Sequence, residues 1–381
     1  MEYDLLLQNV LRKNKNYSIA IKDGLIAKIG NIHESAEQKI DCTGLYAMPG
    51  LVDPHVHFRE PGQTYKEDFT TGSRAAIAGG VTSVIDMPNN AMPTVTLRRV
   101  NEKMELSKKA SCNVYFHFGA TADNFEEVKK AERYVTSLKM YLDKTTGNLV
   151  IGDQKIIEKH FENFDARKPI VVHAEGERIL QAVSLAKKFD RKLHLAHATT
   201  KEEVELTKDF KRGTVEVTPH HLLLKKEDLE KVGLVKPPLR PDADRRKLWT
   251  VLDRVDCIAT DHAPHTAEDK QEGAFGFAGL ETSLALMLDQ YNKGNLTIEW
   301  IEQRMAANPA KIFGLAKQGE LKAGYHANIT LVDLRNEWTV KQEELETKCK
   351  LSPFDRWKLK GRVNKVIFKG KLGYDSGEFI S

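Results

Sequence analysis

The chain has 381 residues, which is enough for one large domain and an accessory one. With 41% hydrophobic and 29% charged residues it is typical of a globular protein, and no apolar run approaches the length that crosses a bilayer. The net charge of +4 is small and is not gathered into a basic tract, so we expect neither nucleic acid nor a membrane as a partner.

The cysteines and the first residues of the chain indicate the cytoplasm. Cys42, Cys112, Cys257 and Cys349 lie far apart and form no Cys-x-x-Cys pair, so we expect reduced thiols. Residues 1–4 lack the basic region, followed by an apolar one, that begins a secretory signal. The sequence therefore predicts a cytoplasmic protein.

Both ends of the chain are rich in short β-type runs. These runs lie at 4–7, 18–21, 25–29, 328–333 and 363–368. Lys22-Asp23-Gly24 and Lys369-Gly370-Lys371 have the composition of hairpin turns. Because the two ends share this pattern around a different middle, residues 1–46 and 321–381 are predicted to build one small β-sandwich domain.

The middle of the chain, residues 47–320, alternates short apolar runs with helix-length segments such as 125–134 and 177–189. This alternation is typical of βα units on a parallel sheet. The predicted strands are 51–55, 81–86, 114–118, 136–140, 170–173, 193–197, 214–218 and 257–260. These units predict an α/β fold, a (β/α)8 TIM-like barrel with its active site at the carboxyl ends of the strands.

Two histidines lie at the end of the first predicted barrel strand. His55 and His57 are separated by one residue, so their side chains leave the same face of an extended chain, about 7 Å apart along it. Two imidazoles in this arrangement can bind one metal ion. The alternative is that one or both are ordinary core or surface residues, because an isolated His-X-His pair is a weak motif.

Other reactive side chains lie at the ends of later predicted strands, namely Lys139, His173, His197 and Asp261. Each has a structural alternative: the lysine could reach the surface, the histidines could be core residues, and the aspartate could cap the next segment. Their coincidence with His55 and His57 at one end of the barrel favours a shared site. Imidazoles, a lysine and a carboxylate suit two divalent ions, with zinc favoured by the imidazoles. Such a pair predicts hydrolysis, or its reversal, at an amide-like carbon.

Three neighbouring polar residues are interpreted separately. His194 lies on the opposite strand face from His197, so it is interpreted as structural. Glu216 and His220, near the seventh predicted strand, either support a metal ligand or are structural.

Several motifs, in order along the chain, resemble those of dihydroorotases, which belong to the barrel-fold amidohydrolases. Residues 53–59, DPHVHFR, and residues 259–265, ATDHAPH, with Lys270 following, resemble the two signature motifs. Shorter matches are DMPN at 86–89, VHAE at 172–175, TPHHL at 218–222 and FGFAGLET at 275–282. The resemblance runs from about residue 45 to residue 315, and the terminal β segments resemble the small domain of this superfamily.

The resemblance implies a centre with two Zn²⁺ ions. Its ligands would be His55, His57 and Asp261 for one ion and His173 and His197 for the other. Lys139 matches a lysine that is carboxylated in many members and bridges the ions together with a hydroxide, whereas other members bridge them with an aspartate. Asp261 also matches the general acid and base.

The resemblance also implies a reaction, the reversible cyclisation of N-carbamoyl-L-aspartate to (S)-dihydroorotate in de novo pyrimidine synthesis. The implied substrate contacts are His57, Phe58, Arg59, Asn89, Lys236, His265, Phe275 and Gly276. Arg59 offers a planar fork for the unreactive carboxylate, and Asn89 and His265 add hydrogen bonds.

Two segments depart from the common family pattern. Many members have Asn-Pro-Pro-Leu-Arg where residues 236–240 of this chain read KPPLR, so Lys236 either contacts an anionic substrate or faces solvent. The loop 143–147, DKTTG, either closes over the substrate, as hydroxyl-bearing loops do in some relatives, or forms an ordinary turn.

Other functions are alternatives at this stage. Hydantoinases, dihydropyrimidinases and allantoinases would share the metal ligands but act on another cyclic amide or ureide, whereas Arg59, Asn89 and His265 together favour an acidic substrate. A non-catalytic dihydroorotase-like scaffold of aspartate transcarbamoylase would have lost ligands that this chain keeps. The sequence leaves open a homodimer and an aspartate transcarbamoylase partner.

Overall fold

The structure is a computed structural model that describes residues 2–12, 15–144 and 147–380. Its strands, in chain order, are β1 (Tyr3–Arg12), β2 (Lys15–Lys22), β3 (Leu25–Gly30), β4 (Ala36–Asp41), β5 (Tyr46–Pro49), β6 (Leu51–Val56), β7 (Val81–Asp86), β8 (Asn113–Gly119), β9 (Ser137–Tyr141), β10 (Pro169–His173), β11 (Lys192–Leu195), β12 (Gly213–Val217), β13 (Cys257–Ile258), β14 (Ile329–Thr339), β15 (Lys358–Phe368), β16 (Lys371–Asp375) and β17 (Glu378–Phe379).

The helices lie mainly between the central strands. In chain order they are α1 (Phe69–Ala78), α2 (Leu97–Leu106), α3 (Phe125–Ala131), α4 (Gln154–Asn163), α5 (Glu177–Lys188), α6 (Lys201–Lys208), α7 (Pro219–Leu223), α8 (Leu229–Val232), α9 (Asp242–Trp249), α10 (Ala267–Gln271), α11 (Leu280–Asn292), α12 (Ile298–Glu302) and α13 (Asn308–Ile312). Within the described residues, none of them has both the length and the apolarity that crossing a lipid bilayer requires.

Strands β6 to β13 form a barrel in which each strand pairs with the next along the chain, always in parallel. The first and last strands meet where Val56 pairs with His262 and the His57 N–H donates to the His262 carbonyl at 2.8 Å. Strands such as β7 are buried along their whole length because helices cover one face and the barrel interior covers the other. The predicted (β/α)8 barrel is confirmed.

The helices begin where the sequence supplies a cap. Asp68 precedes α1 and accepts hydrogen bonds from the N–H groups of Thr70 and Thr71, and Thr200 forms a reciprocal capping box with Glu203 at the start of α6. Each of these helices then buries one face against the barrel. This packing, together with the strand pairing, holds the carboxyl ends of the strands in fixed positions.

The second sheet is built from both ends of the chain, as predicted. Its order is β17-β16-β15-β14-β5-β1-β2-β3, with β4 paired to β1. Its halves share one apolar core, in which Leu5 and Ile26 lie in the same cluster as Ile329 and Ile367. The sheet is mainly antiparallel, although β4 and β5 run parallel to β1.

The two predicted hairpin turns are present, and they lie against each other. Asp23 and Gly24 have φ angles of 51° and 72°, and Lys369 and Gly370 have φ angles of 50° and 83°. Two successive residues with positive φ are what a tight two-residue hairpin requires. A Cβ added at Gly370 would lie 2.8 Å from the Gly24 Cα, so glycine also allows the close approach of the turns.

The junction between the two sheets is short. Strand β5 pairs with β1 and β14, and β6 begins in the barrel at Leu51. Gly50 lies between them, where an added Cβ would lie 2.3 Å from the Thr82 hydroxyl oxygen. The domain boundaries at 46/47 and 320/321 stay predictions.

Candidate functional site

The reactive residues predicted at the strand ends line one cavity at the carboxyl end of the barrel. Its walls are formed by His55, His57, Arg59, Asn89, Lys139, Tyr141, His173, His197, Lys236, Asp261, Ala263, Phe275 and Gly276. These residues come from β6, β9 and β10 and from the loops after the barrel strands. The structure thus brings together all six residues predicted as metal ligands.

One side of the cavity carries three converging ligand atoms. Asp261 Oδ1 lies 3.2 Å from His55 Nε2 and 3.1 Å from His57 Nε2, and the ligand atoms of the three residues all lie within 4.8 Å of one another. The ligand atoms of a tetrahedral zinc ion lie about 3.3 Å apart when the bonds are about 2.0–2.1 Å long. The donor set and its spacing fit a divalent metal ion.

A second pair of imidazoles faces the same space. His173 Nδ1 and His197 Nε2 lie 2.8 Å apart, and the other ring nitrogen of each has no hydrogen-bond partner among the described residues. Burial, followed by the nearby Lys139, lowers the pKa of His173 to about 3, so its ring is neutral. Neutral imidazoles with converging nitrogens fit a second metal ion.

Lys139 lies on β9 with its side chain in the barrel interior. Its ammonium nitrogen is fully buried and has no hydrogen-bond partner within the described part of the chain. Burial lowers the pKa of Lys139 to about 8. An unpartnered amine that loses its proton readily fits the lysine that the resemblance assigns to the metal bridge.

Glu216 on β12 holds the neighbouring imidazoles from behind. Its carboxylate accepts a hydrogen bond from His55 Nδ1, lies 3.0 Å from His194 Nε2 and accepts the His197 backbone N–H at 3.1 Å. This contact orients the His55 ring with Nε2 directed at Asp261, as in metal sites where a carboxylate orients a histidine ligand. Of the two readings of Glu216, the structure therefore supports the one in which it orients a candidate ligand.

Two other polar residues named from the sequence lie outside the cavity wall. His194 contacts Thr214 Oγ1 at 2.8 Å and Glu216, behind the candidate ligands. The buried ring of His220 packs against His221 and Phe277, at centroid distances of 4.4 and 5.4 Å. The contacts of His194 agree with its structural interpretation, and they help to fix the Glu216 carboxylate. The Nε2 of His220 has no hydrogen-bond partner among the described residues, so its role stays a prediction.

Three residues at this end of the barrel have backbones that side chains rarely adopt. Arg59, His197 and Asp261 have φ angles of 61°, 37° and 47°. Left-handed backbone of this kind costs about 1–3 kcal/mol for a residue other than glycine and is common at functional sites. All three residues line the cavity.

Arg59 is a buried cation on the cavity wall. It is 4% exposed, and its Nε donates to the Pro264 carbonyl at 3.1 Å. Among the described residues no carboxylate forms an ion pair with it. A buried guanidinium without a counter-ion is suited to an anionic ligand, because its fork of donors matches a carboxylate.

His265 lies behind this arginine and is not among the described residues that line the cavity. Its Nε2 lies 3.0 Å from Arg59 Nη2 and 3.0 Å from the Phe275 carbonyl, and Lys66 Nζ lies 3.2 Å from its Nδ1. Burial, and then the Arg59 and Lys66 cations, lower the pKa of His265 to about 3. The neutral ring can accept from Lys66 at Nδ1 and donate from Nε2 to the Phe275 carbonyl, and it lies beside the Arg59 guanidinium.

The remaining predicted substrate contacts occupy different positions. Asn89, Lys236, Phe275 and Gly276 line the cavity, and Lys236 Nζ lies 5.8 Å from the centre of the Phe275 ring. By contrast, the ring of Phe58 is fully buried in the apolar core, at a centroid distance of 5.9 Å from Phe69.

Gly276 shapes the wall with its backbone. Its N–H donates to the Leu234 carbonyl at 3.1 Å, and its carbonyl accepts from Lys270 Nζ at 2.9 Å. An added Cβ would lie 2.4 Å from the Ala263 carbonyl oxygen, and the φ angle is 140°. Glycine is therefore required by the close approach of two loops at this position.

The loop 143–147 is only partly described. Thr145 and Thr146, on which the lid hypothesis rests, lie outside the described residues. Asp143 Oδ2 accepts the Glu175 N–H at 2.7 Å, which ties the start of the loop to the end of β10.

Sequence reasoning missed a buried ion pair below the arginine loop. Lys103, from α2, donates to the Asp86 carboxylate and to the Met87 carbonyl at 2.8 Å, and Asp86 Oδ1 accepts the Phe58 N–H at 2.8 Å. The pair thereby fixes the chain next to Arg59. A helical lysine is usually solvent-exposed, so no feature of the sequence distinguished this one.

Lys103→Met is expected to lower the free energy of unfolding by about 3–5 kcal/mol, because it leaves the buried Asp86 carboxylate without its cation. The measurement is urea unfolding followed by fluorescence. Lys108→Met, which removes an exposed pair with Glu105, is the matched control and should cost less than about 1 kcal/mol. Equal stability of the two variants would contradict this account of the ion pair.

The sequence is similar to a known protein family and to several proteins of known function. A profile described as Amidohydrolase family matches residues 46–373. The chain is 38% identical over 382 residues to a dihydroorotase of Pyrococcus abyssi, covering 95% of this chain and 92% of that one. It is also 38% identical over 348 residues to Multifunctional protein CAD of Squalus acanthias, covering 88% of this chain but 15% of that much longer protein.

The fold of the chain is also similar to that of a solved structure. L-hydantoinase (dihydropyrimidinase) of Arthrobacter aurescens superposes with a TM-score of 0.95 at 26% identity, covering 100% of this chain and 98% of that chain. The family profile, the identity to the dihydroorotases and the common barrel agree. The chain belongs to the amidohydrolase family and is related to these dihydroorotases over almost its whole length.

Proposed function

We propose that the protein is a dihydroorotase, a hydrolase of a cyclic amide bond that interconverts (S)-dihydroorotate and N-carbamoyl-L-aspartate in pyrimidine synthesis. The observation that carries the proposal is the position of Arg59, a buried cation in the same cavity as the candidate metal ligands. The identity of 35–38% to dihydroorotases over almost the whole chain supports the same function. We propose the cytoplasm as its location.

The charges of the cavity favour an anionic substrate. Arg59 and Lys236 are the cations of its described lining, Lys139 is proposed to be carboxylated, and Asp261 is the carboxylate. The Asp261 carboxylate is directed at His55 and His57, so it does not neutralise the arginine. Dihydroorotate differs from the uncharged cyclic amides by a carboxylate, which is the group that a guanidinium binds best.

The metal ions belong to the proposal. His55, His57 and Asp261 would hold one Zn²⁺, His173 and His197 would hold the other, and carboxylated Lys139 would bridge them. When bound, the ions would activate a water molecule and polarise the ring carbonyl. The support from the chain itself is the set of converging nitrogens and the unpartnered amine of Lys139.

The modification of Lys139 follows from its surroundings. Burial disfavours the charged ammonium, so the neutral amine is accessible near physiological pH. The amine nitrogen can bond to the carbon of CO₂ and release one proton, which gives a carbamate with two oxygen ligands and a negative charge. Such a group would offset the charge of two cations in a cavity that is otherwise rich in imidazole.

Asp261 would transfer the proton. In ring opening a C–O bond forms at the ring amide carbon and the C–N bond breaks, so a proton must pass from the attacking water to the leaving nitrogen. Asp261 is ionised because His55 and His57 outweigh the effect of burial and keep its pKa below the ordinary value. Ring closure follows the same path in reverse.

The specificity of the site can be tested at Arg59. Arg59→Met should lower kcat/KM for dihydroorotate by about 30- to 700-fold, which corresponds to the loss of about 2–4 kcal/mol from a buried charge-assisted contact. The zinc content should not change, because Arg59 is outside the candidate ligand set. Arg246→Met, at an exposed ion pair, is the control and should equal wild type.

The same variant separates dihydroorotase from the hydantoinase-like alternatives. Dihydrouracil has the same ring without the carboxylate, so Arg59→Met should leave its slow turnover unchanged. A variant that processed dihydroorotate as well as wild type does, or that lost both substrates equally, would show that Arg59 does not bind the substrate carboxylate.

A further inference from the structure

Tyr141 is a cavity residue to which neither the sequence motifs nor the comparisons give a role. It ends β9 two residues after Lys139, so both side chains leave the same face of the strand and point into the barrel. The side chain lines the cavity although the residue is only 3% exposed.

The hydroxyl group of Tyr141 is buried and has no hydrogen-bond partner among the described residues. A buried donor left in this way costs about 1–3 kcal/mol, so native proteins seldom retain one without a use. Tyr115 shows the ordinary arrangement, since its hydroxyl accepts a hydrogen bond from Gln318 at 2.7 Å. The partner of Tyr141 is therefore expected to come from the ligand.

Whether the Tyr141 hydroxyl carries a proton determines whether it can donate a hydrogen bond. A phenol hydroxyl has an ordinary pKa of about 10, so it carries a proton near neutral pH. It can donate a hydrogen bond but cannot serve as a base. A substrate oxygen that gains negative charge during the reaction is the acceptor that such a donor favours most.

The position of Tyr141 identifies that oxygen. Its ring centre lies 5.3 Å from Lys139 Nζ and 6.1 Å from the centre of the His173 ring, beside the candidate metal ligands. The substrate carboxylate is assigned to Arg59, which comes from the loop after β6 and contacts Pro264 and His265. A substrate whose carboxylate is bound by Arg59 would place its reacting amide at the candidate metal ligands, beside the Tyr141 ring.

We propose that Tyr141 donates a hydrogen bond to the carbonyl oxygen of the reacting ring amide, an inference that rests on the proposed dihydroorotase function. When the water oxygen bonds to the amide carbon, the electron pair of the C=O double bond moves to this oxygen. The tyrosine keeps its proton and stabilises the new charge. As the C–N bond breaks, the electron pair returns and the C=O bond re-forms.

Tyr141→Phe removes the hydroxyl and retains the ring, so it is the appropriate variant. Loss of one donor to a developing oxyanion costs about 10²- to 10³-fold in kcat. We expect a loss of this size with dihydroorotate, little change in KM and an unchanged zinc content. Tyr115→Phe is the control and should retain the wild-type kcat.

A binding measurement supplies a readout that is independent of turnover. Orotate is planar at the reacting carbon, whereas an analogue of N-carbamoyl-aspartate with a boronic acid in place of the side-chain carboxyl becomes tetrahedral and anionic there. Tyr141→Phe should weaken binding of the boronic acid by about the factor seen in kcat and leave orotate binding unchanged.

Three results would overturn the inference. They are an unchanged kcat, a loss of activity that follows a loss of zinc, and a rise in KM with equal weakening of orotate binding. If activity were lost together with zinc, Tyr141 would instead help to hold Lys139 in place. If KM rose and orotate binding weakened equally, Tyr141 would instead contact the substrate carboxylate. Failure of zinc-loaded wild type to process dihydroorotate would instead contradict the proposed function itself.

Discussion

Lys139→Ala is expected to lower the turnover of dihydroorotate by at least about 1000-fold, which is about 4 kcal/mol or more. The variant removes the group that would bridge the two ions, so bound zinc should fall from two ions per chain to one or none. The apolar cavity left behind faces four imidazoles, two of which already lack a partner at one ring nitrogen among the described residues.

The measurement combines metal analysis with a steady-state assay. Lys192→Ala is the control and should retain both zinc and activity, because this half-buried lysine on strand β11 donates to the Arg167 carbonyl at the other end of the barrel. A short carboxylic acid such as acetate should restore part of the activity to Lys139→Ala by supplying bridging oxygens. A variant with two zinc ions and wild-type turnover would contradict the role of Lys139.

Asp261→Asn should have the second largest effect, a loss of about 10²- to 10⁴-fold in kcat. An amide cannot accept the proton of the attacking water, and its oxygen is a weaker ligand than a carboxylate. Because Asn has nearly the same shape, the contacts near His55 and His57 at 3.2 and 3.1 Å can persist and the fold should be retained.

Zinc analysis separates the two effects of this change. If proton transfer is lost, kcat remains low in protein that has been fully reloaded with zinc. Asp256→Asn, at a partly exposed carboxylate that pairs with Lys208, is the control and should retain the wild-type kcat. Near-wild-type turnover of zinc-loaded Asp261→Asn would refute the assignment of the general acid and base.

The barrel could be predicted because its strands are buried on both faces. A strand such as β7 (Val81–Asp86) is buried along its whole length although Thr82, Ser83 and Asp86 are polar, and its bounds match the predicted 81–86. The strands of the terminal sheet were harder to predict from the sequence. The run predicted at 4–7 is part of β1 (Tyr3–Arg12), whose second half contains exposed or half-buried residues that depend on the pairing with β2 for their conformation.

The residues of the site could be predicted where a motif or a strand end marked them, but their supporting contacts could not. Lys103 is buried because α2 brings it to the end of β7, and Glu216 reaches His55 across the barrel. Both contacts join residues that are distant in the sequence, so no local pattern encodes them. Tyr141 follows Lys139 at the spacing of one strand face, but only the three-dimensional structure shows that its hydroxyl lacks a partner.

The position of Phe58 shows that a match to a motif does not tell which way each side chain is directed. The residue was assigned to the substrate contacts because it lies inside the signature, yet its ring packs in the core while His57 and Arg59 line the cavity. His57 lies on the face of the chain that also carries His55, and Arg59 has a left-handed backbone, so both side chains line the cavity while the ring of Phe58 is directed into the core.

The most direct test of the proposed function is the ratio of kcat/KM for dihydroorotate to that for dihydrouracil, measured on wild-type protein reloaded with zinc. The two rings differ by the carboxylate that Arg59 is proposed to bind. We predict a ratio of at least about 30, the lower value expected for one buried charge-assisted contact. A ratio near one, or faster turnover of dihydrouracil, would contradict the proposal that this protein is a dihydroorotase.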